Sequence, residues 1–246
     1  MRVLVTRPEP EASRLAAALA ARGIESALAP LMEIRDRPQA LSLDGVRAVL
    51  ATSANGVRAF ARAEPGRDLP LFAVGAATAE AARDAGFRHV VTAGGDVATL
   101  AERVVRDLDP AAGALLHVAG TVTAGDLAGR LGASGFEVRR AVLYEARPVA
   151  RLPAAAVAAL RAGEIDGVLF FSPRTARAFV SLIRTARIAP GLRNSTAYCL
   201  SRAVAAEAAA LEWRAVHVAE TPDQPALLSL VAAGMQEPPP QGEDSP

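Results

Sequence analysis

Val168-Leu-Phe-Phe-Ser-Pro-Arg-Thr-Ala-Arg-Ala-Phe179 reads as a buried strand that stops at Ser172, turns and becomes a helix. Val168 to Phe171 is a short apolar run, the pattern of a strand covered on both faces in a parallel sheet. Ser172 suits the N-cap, and Pro173 suits the first helical position, where its missing N–H leaves nothing unpaired. A helix N-terminus at the carboxyl edge of a sheet combines free N–H groups with a positive dipole end, and that geometry receives anions. The pattern occurs earlier too, as Val49-Leu-Ala-Thr-Ser-Ala-Asn-Gly-Val-Arg-Ala-Phe60. There Ser53 answers Ser172, Arg58 answers Arg177 and Phe60 answers Phe179.

Working outward, Arg2 to Glu33 aligns with Ala114 to Glu145, and Gly75 to Val90 with Ser201 to Val216, which sets Phe87 opposite Trp213. The chain reads as an internal duplication whose period is far too long for a solenoid. Strands alternate with ten-residue helices from Arg2 to Ala233, which predicts an α/β fold. Its expected form is two flavodoxin-like or Rossmann-like lobes with doubly wound parallel sheets, five strands in each. Residues 1–35 with 148–234 are expected to form the first, discontinuous lobe, and 39–141 the second. Extended segments at 30–38 and 142–148 tie the lobes as a two-stranded connector, and a cleft between the two sheet edges is the expected ligand site. Helices are expected over Glu9–Arg22 and Ala124–Ser134, among others, a strand over Phe136–Ala141, and a disordered tail over 236–246.

Composition narrows the chemistry. With a net charge of +1 there is no electrostatic footprint for nucleic acid. All 27 basic residues are arginine, so no lysine is available for an internal Schiff base, and lysine-dependent aldolase or pyridoxal-phosphate chemistry is excluded. The lone Cys199 lies in an apolar run and reads as a buried structural thiol in a reducing compartment. No signal peptide or apolar run of about 20 residues is present, which points to the cytoplasm. No Gly-x-Gly-x-x-Gly follows a strand, and His89, His117 and His217 stand singly without ligand spacing, so neither dinucleotide nor metal is expected.

What remains is a set of N–H donors, hydroxyls and cations at strand ends: Arg7, Thr52, Ser53, Thr78, Gly120, Thr121, Ser172, Arg174, Ser201 and Arg202. Each helix start favours a negative group by about 0.3–1 kcal/mol, so several together suit a ligand carrying many carboxylates.

Six ordered motifs carry a family resemblance. Val3-Leu-Val-Thr-Arg-Pro8, Thr52-Ser-Ala-Asn-Gly56, Ala73-Val-Gly-Ala-Ala-Thr-Ala79, His117-Val-Ala-Gly120, Val142-Leu-Tyr-Glu145 and Phe170-Phe-Ser-Pro173 resemble uroporphyrinogen-III synthase over residues 1 to about 232. The resemblance implies a cofactor-free, metal-free hydro-lyase of tetrapyrrole biosynthesis. Its substrate is hydroxymethylbilane, a linear tetrapyrrole with eight carboxylates, which loses water and closes with inversion of the last pyrrole through a spiro intermediate. It also implies Tyr144 as the catalytic hydroxyl, helping the substrate's hydroxyl leave, and Thr78 as a contact to a substrate carboxylate. A monomer, in transient contact with the preceding deaminase, is the expected state. One departure stands out: the second Gly-x-x-Thr-Ala copy reads Ser201-Arg-Ala-Val-Ala205, with Val204 where the family has threonine. A non-catalytic two-lobed anion-binding protein, or a synthase-like pseudoenzyme, is the alternative.

Overall fold

The computed structural model describes residues 1–123 and 125–234. In chain order the elements are β1 (Arg2–Val5), α1 (Glu11–Ala20), β2 (Glu25–Leu28), β3 (Met32–Asp36), β4 (Val46–Ala51), α2 (Ala54–Ala63), β5 (Leu71–Ala73), α3 (Ala76–Asp84), β6 (Val90–Thr92) and α4 (Val97–Asp107). They continue with β7 (Ala114–Gly120), α5 (Leu127–Gly132), β8 (Val138–Pro148), α6 (Ala154–Arg161), β9 (Gly167–Phe170), α7 (Pro173–Ala186), β10 (Thr196–Cys199), α8 (Arg202–Ala208), β11 (Ala215–Val218) and α9 (Gln224–Gly234). The described residues divide into two compact units, one of residues 1–33 with 148–234 and one of Ile34–Arg147.

The first unit is built on a five-stranded sheet, ordered β11-β10-β9-β1-β2, whose neighbouring strands run parallel. Alternation along each strand feeds two cores. Leu4, Val168, Phe170, Ala197 and Cys199 face one side with Ala156, Phe179 and Val204 of α6, α7 and α8. Val3, Val5, Leu169 and Tyr198 face the other with Leu15 and Leu19 of α1 and Leu227 and Val231 of α9. A sheet buried on both faces needs apolar residues at successive positions, which is why β9 reads Gly-Val-Leu-Phe without a polar break. Burial also sets the character of Cys199: its thiol is pushed up to about 12, so it is inert packing at neutral pH.

The second unit holds a six-stranded sheet ordered β3-β8-β7-β4-β5-β6. Val49, Ala51, Leu116 and Val118 pack with Val57 and Phe60 of α2 and Ala79 and Ala82 of α3. Ala48, Leu50, Phe72 and Leu115 pack with Leu100 and Val104 of α4 and Leu127 and Leu131 of α5 on the opposite face. Some elements differ from the sequence expectation. The two connectors are neighbouring strands, β3 and β8, as expected, but both belong to this sheet, which therefore has six strands rather than five, and β8 runs unbroken through the residues expected as a separate strand and a connector. Backbone donors explain it, since an extended segment beside β7 satisfies its N–H and C=O groups by pairing, from Leu115↔Val138 onward. The helix expected over Ala124–Ser134 spans only Leu127–Gly132, because Asp126 caps it by accepting from the Gly129 N–H at 2.8 Å. Ala124 and the expected tail 236–246 lie outside the described residues.

Helix α2 sits close enough to β7 that its first turn has no room for a side chain at Gly56. A Cβ there would lie 2.7 Å from the Val118 carbonyl oxygen, a backbone atom that cannot swing away. Gly56→Ala is therefore expected to lower stability by about 1–3 kcal/mol despite the better helix propensity of alanine. Urea unfolding checks this; a variant as stable as the parent would refute the close approach.

Candidate active site

In each sheet one pair of adjacent interior strands, running parallel, sends its following helices to opposite faces, which opens a crevice at the strand carboxyl ends. In the first unit the pair is β1 and β9, followed by α1 and α7. In the second it is β4 and β7, followed by α2 and α5.

The β4–β7 switch point gathers five of the residues singled out in the sequence. Thr52 and Ser53 follow β4 directly. Ser53 has extended backbone, φ −159°, and its Oγ accepts the Gly56 N–H at 3.0 Å, so it caps α2. Gly120 ends β7, and a register shift between Ala119 and Gly120 brings Tyr144 of β8 opposite it. Gly120 is glycine for a steric reason: a Cβ would lie 2.7 Å from Tyr144 Cζ and 3.0 Å from its hydroxyl oxygen. The Tyr144 ring thus lies across bare backbone, and its hydroxyl reaches Ser53 Oγ at 2.8 Å. Thr121 donates its backbone N–H to the Tyr144 carbonyl at 3.1 Å, fixing the strand that carries the ring. Arg140 donates to the Gly120 carbonyl at 2.8 Å from the same strand. Tyr144 is 9 % exposed, so its hydroxyl is held rather than loosely solvated.

A second polar pair lies beside the first. Thr52 Oγ1 and His117 Nε2 are 3.2 Å apart. His117 is buried on β7; burial drives its pKa down to about 4 and the Arg140 guanidinium adds to the shift, so the ring is neutral near pH 7. In the sequence His117 stands as an isolated histidine that opens one of the family-like motifs. Its partner directly follows the adjacent strand β4, and no local pattern in the sequence joins the two. Thr78 lies one strand over, in the first turn of α3, with its side chain 5 % exposed. Nothing places it with Ser53 and Tyr144.

In the first unit Thr6 ties the switch point together by donating its hydroxyl to the Leu169 carbonyl at 2.6 Å. Arg7 follows; its guanidinium sits 4.5 Å over the Phe171 ring and donates to Gln224 Oε1 at 3.0 Å. Gln224 was not singled out in the sequence, because neither residue type nor spacing marks it, and Phe171 was read there as the end of an apolar run and part of a motif, not as a site residue. Ser172 caps α7 by accepting the Thr175 N–H at 3.1 Å, and its Oγ lies 2.8 Å from Thr175 Oγ1. Arg174 is in the first turn of that helix and half-buried. Ser201 caps α8, while Arg202 is exposed and lines a cavity of about 350 Å³ with Ser201, Glu220 and Pro222. Val204 is 1 % exposed and belongs to the core. It holds the third position of α8 as Thr78 holds the third of α3, and both side chains point inward.

The lowered pKa of His117 couples acid to unfolding. The unfolded imidazole, near 6.5, takes a proton that the folded one resists until about pH 4. The folded state therefore keeps this contribution above pH 6.5 and loses it as pH falls toward 4, by on the order of 3 kcal/mol. His117→Gln is expected to flatten the fall in urea midpoint between pH 7 and pH 4.5. Equal slopes in the two proteins would show that His117 is not held neutral.

A family model described as Uroporphyrinogen-III synthase HemD matches residues 13–229. No curated protein matches the chain by sequence. Among solved structures, uroporphyrinogen-III synthetase from Helicobacter pylori 26695 aligns with TM-score 0.65 and 19 % identity, over 95 % of this chain and 99 % of that one. A mutant uroporphyrinogen III synthase from the extreme thermophile Thermus thermophilus aligns with TM-score 0.53 and 17 % identity, over 96 % and 100 %. At these identities the structural likeness speaks for the α/β fold alone, whereas the family match spans most of the sequence. The chain belongs to the uroporphyrinogen-III synthase family.

Proposed function

We propose that this protein is a hydro-lyase that cyclises hydroxymethylbilane to uroporphyrinogen III, with Tyr144 as the group that assists departure of water. The observation that carries the assignment of Tyr144 is its fixed hydroxyl at the β4–β7 switch point, 2.8 Å from Ser53 Oγ. In the proposed step the terminal C–O bond of the bilane breaks. The Tyr144 O–H hydrogen-bonds the departing oxygen and gives it its proton, so the oxygen leaves as water, and the phenolate is reprotonated at the expense of the proton that the pyrrole carbon releases on ring closure. Ring closure then follows the spiro route that inverts the last pyrrole. Holding a flexible chain in one reactive geometry supplies the rest, since the same chain closes without inversion when left alone.

The proposed carboxylate contacts are Thr52, Ser53, Thr78, Gly120 and Thr121 in the second unit and Arg7, Ser172, Arg174, Ser201 and Arg202 in the first; Ser53 serves through its backbone N–H, since its hydroxyl is engaged with Gly56 and Tyr144. The starts of α2 and α7 support this reading, because each turns free N–H groups and a positive dipole end toward its switch point. The burial of Thr78 argues for a contact through the backbone at that helix start rather than through its hydroxyl. The proposal extends to a cytoplasmic monomer that takes its substrate from the preceding deaminase. No helix among the described residues is long and apolar enough to cross a membrane.

We also read the chain as an internal duplication. Two aromatic pairs support it: Phe60 and Phe87 stack with centroids 6.0 Å apart and an interplanar angle of 21°, and Phe179 and Trp213 stack at 5.9 Å and 21°. These are the residues that the sequence alignment of the two halves sets opposite one another.

The test is the isomer ratio. Freshly generated hydroxymethylbilane, incubated with the purified protein, is expected to give predominantly the type III porphyrin after oxidation. Type I alone, at the rate of the protein-free control, would refute the synthase and leave a passive anion-binding protein. Tyr144→Phe is expected to lower kcat about 10²-fold or more, the usual worth of a positioned proton donor; full turnover in that variant would remove Tyr144 from the chemistry.

A further inference from the structure

Ser53 stands in two hydrogen bonds that share one oxygen. Its Oγ accepts the Gly56 N–H at 3.0 Å and lies 2.8 Å from the Tyr144 hydroxyl. A serine hydroxyl has one proton and two lone pairs, so with one lone pair committed to Gly56 the proton is available for Tyr144. The Gly56 N–H is among the first donors of α2, where peptide dipoles sum to a partial positive charge. Several features stop the phenol from leaving this contact: the Gly120 backbone under its ring, the Thr121 N–H on its carbonyl and the low exposure of the residue.

We infer that Ser53 is a positioning residue that relays the polarity of the α2 N-terminus to the catalytic phenol. The chain runs from the Gly56 N–H to Ser53 Oγ, and from the Ser53 O–H to the Tyr144 oxygen. All its donors point the same way, so each bond polarises the next. Tyr144 then receives a hydrogen bond on its oxygen and keeps its own proton for the departing hydroxyl of the substrate. In the opposite arrangement, with Tyr144 donating to Ser53, the phenol proton would be turned into the protein. The relay also gives Gly120 a second consequence, because a side chain at that position would displace the ring from Ser53.

The inference rests on the proposed role of Tyr144, and the variants separate the two. Ser53→Ala removes both bonds. Ser53→Asp keeps the cap, aspartate being as good an N-cap as serine, but an ionised carboxylate only accepts and so draws the phenol proton inward. Ser53→Thr keeps cap and donor. Turnover of hydroxymethylbilane to the type III product, measured as kcat and KM separately, is expected to fall in kcat about five- to tenfold in Ser53→Ala, the worth of one hydrogen bond. Ser53→Asp is expected to lose at least as much while melting as the parent does, and Ser53→Thr to recover most of the loss. In a Tyr144→Phe background, Ser53→Ala is expected to cost nothing further, since the relay has no phenol to act on. If Tyr144→Phe is slow but Ser53→Ala or Ser53→Asp turns over within twofold of the parent, the relay is wrong and the tyrosine role stands. Additive losses in the double variant overturn the relay as well. If Tyr144→Phe turns over fully, both readings fall together.

Discussion

Parallel pairing of two strands whose helices leave on opposite faces is the constraint on which this molecule depends. Where β4 lies against β7, α2 turns to one face and α5 to the other. Where β1 lies against β9, α1 and α7 part in the same way. Each crevice is floored by strand ends and walled by a helix start, so it carries oriented N–H donors whatever its side chains are. This matters for a chain with net charge of only +1. Donors supplied by backbone geometry can hold carboxylates without the dense basic charge that would bind polyanions at large.

Capping is what connects that constraint to chemistry. Ser53, Ser172 and Ser201 each accept a backbone N–H three residues on, so each is spoken for structurally. The three then differ in what else they touch. Ser172 turns to Thr175 of its own helix, a contact that stays within the cap. Ser53 turns to Tyr144 on another strand, a contact that crosses the sheet. A residue type that looked repetitive along the chain thus has one copy tied to a tyrosine hydroxyl on another strand, and the tertiary partner makes the difference.

Much of the fold was legible because burial on both faces leaves continuous apolar runs and because serine and proline mark helix starts. The apolar runs at Val49–Ala51 and Val168–Phe170 became central strands of the two sheets, and the helices after them start within a residue of the expected positions. That the two connector strands extend the second sheet was not legible, for a physical reason. Edge strands such as β3 alternate weakly, and pairing is settled by which backbone groups lie nearby rather than by side-chain pattern. Tyr144 was legible only through the family motif, and the partners that define its setting were not. Its contact with Gly120 follows from a one-place register shift, which no local pattern encodes. His117 shows the same limit: a lone histidine in sequence acquires Thr52 only when β4 and β7 are laid side by side.

The departure at Val204 can be weighed on the same grounds. A hydroxyl that served the substrate would have to stand at the crevice, yet Val204 is in the core of the first unit, and Thr78, at the matching helical position of the second, is buried as well. Exchanging threonine for valine at such a position trades a hydroxyl that needs an internal partner for a methyl group that needs none. The N–H groups at the start of α8 are backbone and survive the exchange, and Ser201 still caps them. The change therefore alters how that helix is packed while leaving what it presents to an anion in place, and it supplies no reason to read the chain as a family member that has lost its function.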